Sequence, residues 1–126
     1  MRVPLGGMTG TRDTGGNMAG AKIVVLYPAP RDPAAFERVY RQDHAPMVTP
    51  ATFPGLTKFV ASKITGTADG RTAPFARVAE LHFSSLKNLQ AAAATEPAKR
   101  AVAHAVSISS GGPPLFLIAE EETTTF

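Results

Sequence analysis

The stretch Asp32-Pro33-Ala34-Ala35-Phe36-Glu37-Arg38-Val39-Tyr40-Arg41-Gln42-Asp43-His44-Ala45-Pro46 carries more information about the fold than any other part of the chain. Asp32 offers a side-chain oxygen as an N-cap, and Pro33 takes the first helical position, where a missing N–H is harmless. Phe36, Val39, Tyr40 and Met47 then recur at helical spacing, while Glu37, Arg38, Arg41 and Gln42 face away. Pro46 disfavours the helical conformation at Ala45, so the helix is expected to stop near His44. A capped amphipathic helix therefore ends on an imidazole, a group able to move protons near neutral pH.

Upstream, Lys22-Ile23-Val24-Val25-Leu26-Tyr27 is a short β-branched run closed by Pro28 and Pro30, and reads as a buried strand. Downstream, Pro46, Pro50 and Pro54 stiffen the connection, and Pro54-Gly55 is a turn signal. A second strand is expected over 56–64, a loop over 66–71, and a third strand with mixed faces over 75–83. Ser84 or Ser85 can cap a second helix carrying Leu86, Leu89 and Ala93, and Pro97 divides it from a further helical piece over 97–106. Gly111-Gly112-Pro113-Pro114 turns the chain into a terminal strand over 115–119, and the acidic, threonine-rich tail from Glu120 onward is expected to fray. The order β-α-β-β-α-β is the ferredoxin-like α+β arrangement, a four-stranded antiparallel sheet with its helices on one side. The other sheet face is left with nothing to bury it. Two such sheets packing together would solve this and enclose a pocket between them.

At 126 residues, the chain is of single-domain length. We read residues 1–20 as a disordered leader, 21–122 as the folded domain and 123–126 as a frayed tail. Met18, just before the first strand, is an alternative start. A hydrophobic share of 44% with 18% charged residues fits a globular rather than a disordered chain. The absence of cysteine removes disulfides and thiolate chemistry and makes the cytoplasm the default compartment. The net charge of +3 is scattered, without the basic stripe and interleaved aromatics of a nucleic-acid surface. No apolar run is long enough to span a membrane. The glycine-rich fragments lack a phosphate-loop lysine and dinucleotide spacing, so no nucleotide cofactor is expected.

Tyr27-Pro28, then Asp32, Phe36, Tyr40 and His44-Ala45-Pro46, then Pro54-Gly55-Leu56 form an ordered set that resembles the EthD family of dimeric α+β barrel proteins. The similarity runs over about residues 22–122. It implies a homodimer whose sheets enclose a hydrophobic cavity for a small hydrophobic or aromatic ligand. Relatives are linked to ether degradation, polyketide dehydration, lactone isomerisation and quinone-forming oxygenation. The haem-degrading branch is set aside, since this chain has no tryptophan. A shared fold does not fix a reaction.

His44 is the leading catalytic candidate, as an acid or base for dehydration or isomerisation without a cofactor. The helix dipole favours its charged form and burial opposes it; the plainer role is a helix-end hydrogen bond. Tyr27 and Tyr40 can donate to a substrate carbonyl or enolate oxygen, although Tyr40 shares its helical face with core residues. Glu80 and His82 alternate onto one face of the third strand, where they are either polar anchors in the dimer cavity or surface residues. Lys58 can neutralise an anionic ligand or simply run its stem along apolar surface. His44, His82 and Glu80 lack local ligand spacing, so no metal is expected, and His104 reads as an external residue. Two other functions use the same scaffold. One is a non-catalytic binder of hydrophobic ligands, and the other is a dimer that assists an oxygenase.

Overall fold

The computed structural model describes residues 19–126. The leader expected over 1–20 and the alternative start at Met18 therefore fall almost wholly outside the described residues. Four strands, β1 (Ala21–Pro28), β2 (Lys58–Lys63), β3 (Phe75–Phe83) and β4 (Leu115–Glu120), form one antiparallel sheet in the order β2-β3-β1-β4. Between them run α1 (Pro33–Val39), α2 (Leu86–Ala93) and α3 (Glu96–Ile108). This is the ferredoxin-like α+β fold. No helix among the described residues is long and apolar enough to cross a membrane.

Local chemistry fixes each helix start. Asp32 Oδ1 accepts from the Ala35 N–H at 3.1 Å, Ser85 Oγ from Asn88 N–H at 3.1 Å, and Thr95 Oγ1 from Ala98 N–H at 3.3 Å. Each cap satisfies a donor that the first turn would otherwise leave open. Pro97 lies in the first turn of α3, where it begins a helix instead of breaking one.

Cross-strand partners in an antiparallel sheet share a face. The register pairs Val25 with Ala79 and Phe116, and Ile23 with Leu81, which in turn faces Phe59. These residues, with Ala21, Tyr27, Arg77 and Phe83, look toward the helices. The core lies there, closed from above by Phe36, Tyr40, Leu89 and the small stripe Ala98, Ala101 and Ala105. Alanine at those three positions brings α3 close to its neighbours.

The opposite face carries Val24, Leu26, Val60, Val78, Leu115 and Leu117, with Glu80 between Val24 and Val60 and with Lys22, Lys58 and His82 at one end. None of the described elements covers it. Leu115 and Leu117 remain 46% and 48% exposed. The β4 end differs from the fraying expected there. The strand includes Glu120, and the Glu121 N–H donates to the Gly20 carbonyl at 2.8 Å. At the start of β4 the turn passes so close to β1 that a Cβ at Gly111 would overlap the Ala29 carbonyl.

Candidate functional site

The helical path does not stop at His44. Regular α1 ends at Val39, Tyr40–His44 form a wider π turn closed by the Ala45 N–H to the Tyr40 carbonyl, and Ala45–Met47 follow as a 3-10 turn. Pro46 sits in the first positions of that last turn, where no donor is required of it. Such π insertions recur at functional sites.

Phe36, Tyr40 and His44 form a column of rings along one side of this path. Phe36 and Tyr40 have centroids 5.8 Å apart, Tyr40 and His44 5.7 Å. Tyr27, rising from the central strand β1, meets all three at 5.5, 5.4 and 6.3 Å. Arg77 of β3 lays its guanidinium 4.7 Å over the Tyr40 ring, a cation–π contact strengthened by burial. Glu37 holds it there. Arg77 Nη2–H donates to Glu37 Oε1 at 2.7 Å and Nε–H to Oε2 at 3.1 Å, a bidentate, charge-assisted pair. Glu37 therefore faces inward, contrary to the helical pattern. The hydrogen bond from Arg77 holds its carboxyl below the usual range. The Tyr40 hydroxyl is buried with no hydrogen-bond partner among the described residues.

His44 is only 5% exposed. Its Nδ1 lies 3.0 Å from Nδ1 of His104 on α3, so His104 is not the external residue its alanine-rich surroundings suggest. Burial lowers the His44 imidazole to about 4, and charge on His104 pushes in the same direction. Burial thus outweighs the helix dipole, and His44 is neutral at pH 7. The unfolded chain protonates this residue near 6.5 and the folded chain near 4. In that interval the unfolded state binds more protons, so stability rises with pH. The gap corresponds to about 3 kcal/mol, lost progressively as pH falls from 6.5 to 4. His44→Gln should flatten the denaturant midpoint against pH across this window; an unchanged slope would mean that another group causes it.

His44, Tyr27 and Tyr40 line a cavity of about 30 Å³ with Val48, Phe53, Phe59, Leu81, Ala101 and Phe116. It lies between the helices and the sheet within one chain. This corrects the expectation of a His44 pocket between two sheets. Val102 and Phe116 are its most exposed lining residues, at 40% and 38%, so it opens between α3 and β4.

Lys58, Glu80 and His82 lie on the other sheet face and do not join His44. There His82 Nε2 is 2.9 Å from Glu80 Oε1, and Lys22 Nζ is 3.4 Å from the same oxygen. Glu121 Oε2 lies 3.5 Å from both His82 Nδ1 and Lys22 Nζ. Burial works to raise the Glu80 carboxyl, but hydrogen bonds from His82 and Lys22 and the lysine charge bring it below its ordinary value. Lys58 is exposed beside His82 in the register. His44 and His82 are separated by the sheet, and no group of three metal-ligating side chains converges among the described residues.

Fold and cavity together define a ferredoxin-like α+β protein that holds an aromatic-lined space beneath its own helices. A crystal structure of an ethyl tert-butyl ether D (EthD) family protein from Bacillus halodurans superposes with a TM-score of 0.73 at 28% identity, covering 82% of this chain and 99% of that one. An uncharacterised 11.0 kDa protein from the thcB-thcC intergenic region of Rhodococcus erythropolis is 31% identical over 102 residues, 81% of this chain and 95% of that protein. The chain belongs to the EthD family. A dimeric ferredoxin-like protein of unknown function from Jannaschia, 18% identical with a TM-score of 0.59 over 82% of this chain and 99% of that one, shares the fold. No protein-family model matches the chain.

Proposed function

We propose that this protein is an acid–base enzyme acting on a small hydrophobic or aromatic carbonyl compound, of the dehydration or isomerisation type. His44 removes and returns a proton beside the carbonyl, and Tyr40 donates to the oxygen on which negative charge develops. The observation that carries this reading is one apolar cavity lined by both His44, a neutral imidazole, and Tyr40, whose buried hydroxyl has no partner among the described residues. A buried hydroxyl left unpaired costs about 1–3 kcal/mol, and a substrate oxygen would satisfy it. The same polar pair favours an enzyme over a passive binder of apolar ligands. Tyr27 shapes the wall, and burial raises its hydroxyl well above the ordinary phenol value, so it acts as a neutral group.

The cavity holds about two water molecules, whereas a drug-sized ligand takes a pocket of about 300 Å³ or more. Entry of substrate therefore requires the side chains of Val102 and Phe116 at the mouth to move. The test is exchange of α-protons for deuterium in D2O across a panel of aromatic β-hydroxy ketones. Accelerated exchange of at least one supports the reading; no acceleration, with ligands bound and His44 resonances undisturbed, would overturn it.

A homodimer through the open sheet face belongs to the same proposal, supported by the apolar patch around Val24, Val78 and Leu117 and by the dimeric relative. Lys58, Glu80 and His82 would then border the interface, apart from His44. Sedimentation at micromolar concentration should give a dimer, and Leu117→Lys a monomer. A monomeric wild type would refute this part. The cytoplasm is the proposed compartment, on the lack of cysteine.

A further inference from the structure

The His44–His104 contact has a geometry that carries further, on the reading of His44 as the acid–base group. The ring planes are 17° apart and the centroids 5.2 Å, while the two Nδ1 atoms stand 3.0 Å apart. The N–N separation takes up most of the centroid distance, so the rings meet edge to edge in nearly one plane, as an in-plane hydrogen bond requires. Only one proton fits between the facing nitrogens. Two would oppose each other, and none would set lone pair against lone pair. His44 is almost wholly buried and His104 half-buried. The titratable side chains whose rings pack against His44 besides His104 are Tyr27 from β1 and Tyr40 from its own helix. Asp43, its neighbour in the chain, is exposed, and Arg77 over Tyr40 is neutralised by Glu37.

We propose that His104 is a positioning residue that sets the His44 tautomer and relays its proton toward solvent. In one neutral arrangement His44 Nδ1–H donates to His104 Nδ1, which leaves His44 Nε2 bare as a base. When Nε2 takes a proton from a substrate carbon, the C–H electron pair moves to the carbonyl as an enolate. The Nδ1 proton crosses to His104, and the proton on His104 Nε2 leaves to water. The pair is neutral again, with His44 now protonated on Nε2 as the acid that returns a proton. The reverse sequence resets it. His44 thereby works as base and then as acid without persisting as a buried cation, the state that its burial opposes.

The experiment uses the uniformly 15N-labelled full chain without substrate. Wild type should show a 15N–15N coupling across the hydrogen bond, joining the two Nδ1 atoms. In His104→Phe, which fills the space without a nitrogen, that coupling should vanish. Exchange of the His44 imidazole N–H with water should slow by about tenfold or more, because it then waits on local opening. In His104→Ala, added imidazole should restore the exchange. His104→Asn keeps a hydrogen-bonding group but cannot relay, so it should leave His44 ordered and its exchange slow, even if the phenylalanine variant does not fold. Absence of the coupling in wild type, or wild-type exchange rates in folded His104→Asn, overturns the proposal. No substrate enters the readout, so failure of the relay is distinguishable from failure of the acid–base reading.

Discussion

Glu37→Ala is expected to lower the stability of the fold by about 3–5 kcal/mol, the range for leaving one partner of a buried ion pair alone. Arg77 projects from β3 on the same face as Ala79, Leu81 and Phe83 and is 5% exposed. Its charge is tolerated there because Glu37 meets both Nε and Nη2 while the Tyr40 ring covers the guanidinium. Without the carboxylate, the cation is buried against an aromatic ring alone. Joining Glu37→Ala to Arg77→Met should recover much of the loss, since an apolar side chain of similar size needs no counter-charge. The pair also has a pH signature. The folded-state value of Glu37 is depressed below 4.5, so its contribution is complete above that value and is lost as pH falls through the lowered one. Urea denaturation of the single and double variants measures these effects. A Glu37→Ala change of less than about 1 kcal/mol, typical of exposed pairs, would show that Arg77 finds water instead.

His44→Gln should reduce α-proton exchange of an accepted ketone by about 10²–10⁴-fold, the usual share of a positioned acid–base group. Glutamine retains polarity and much of the volume but cannot take up a proton at neutral pH. Steady-state exchange rates followed by NMR are the measurement, and a rate equal to wild type would remove His44 from the chemistry. Tyr40→Phe separates packing from function at the neighbouring position. The hydroxyl has no partner among the described residues, so its loss should leave stability equal or higher while the rate falls. A purely structural tyrosine would give the reverse.

The fold was readable because its signals are local. Asp32-Pro33 and Ser85 mark helix starts that the structure realises, and Phe75–Phe83 is a strand over the residues its pattern indicated. The site was readable only in part. Helical spacing placed Tyr40 and His44 on one side, but it could not reveal the π turn, whose hydrogen bonding depends on the tertiary surroundings. The helical pattern turns Glu37 outward, although Arg77 in line with Ala79 and Leu81 calls for a counter-charge from the helix layer. The inward turn of His104 is hidden for a similar reason. It lies on the flank of the Ala98, Ala101 and Ala105 stripe, and small residues at an interface mark where a neighbouring helix approaches closely. Element order makes an uncovered sheet face evident and so points to a pocket between sheets, whereas a gap beneath the helices depends on how their side chains pack.

The π turn also bears on which changes this chain can absorb. Arg41, Gln42 and Asp43 are all exposed, so their identities are nearly free, yet their number is not. With one residue fewer between Tyr40 and His44, the π turn would become an ordinary α turn and the imidazole would meet Tyr40 and His104 at a changed angle. In this part of the chain, spacing is under tighter constraint than spelling. A lineage could exchange the three intervening letters freely and still break the site by losing one of them.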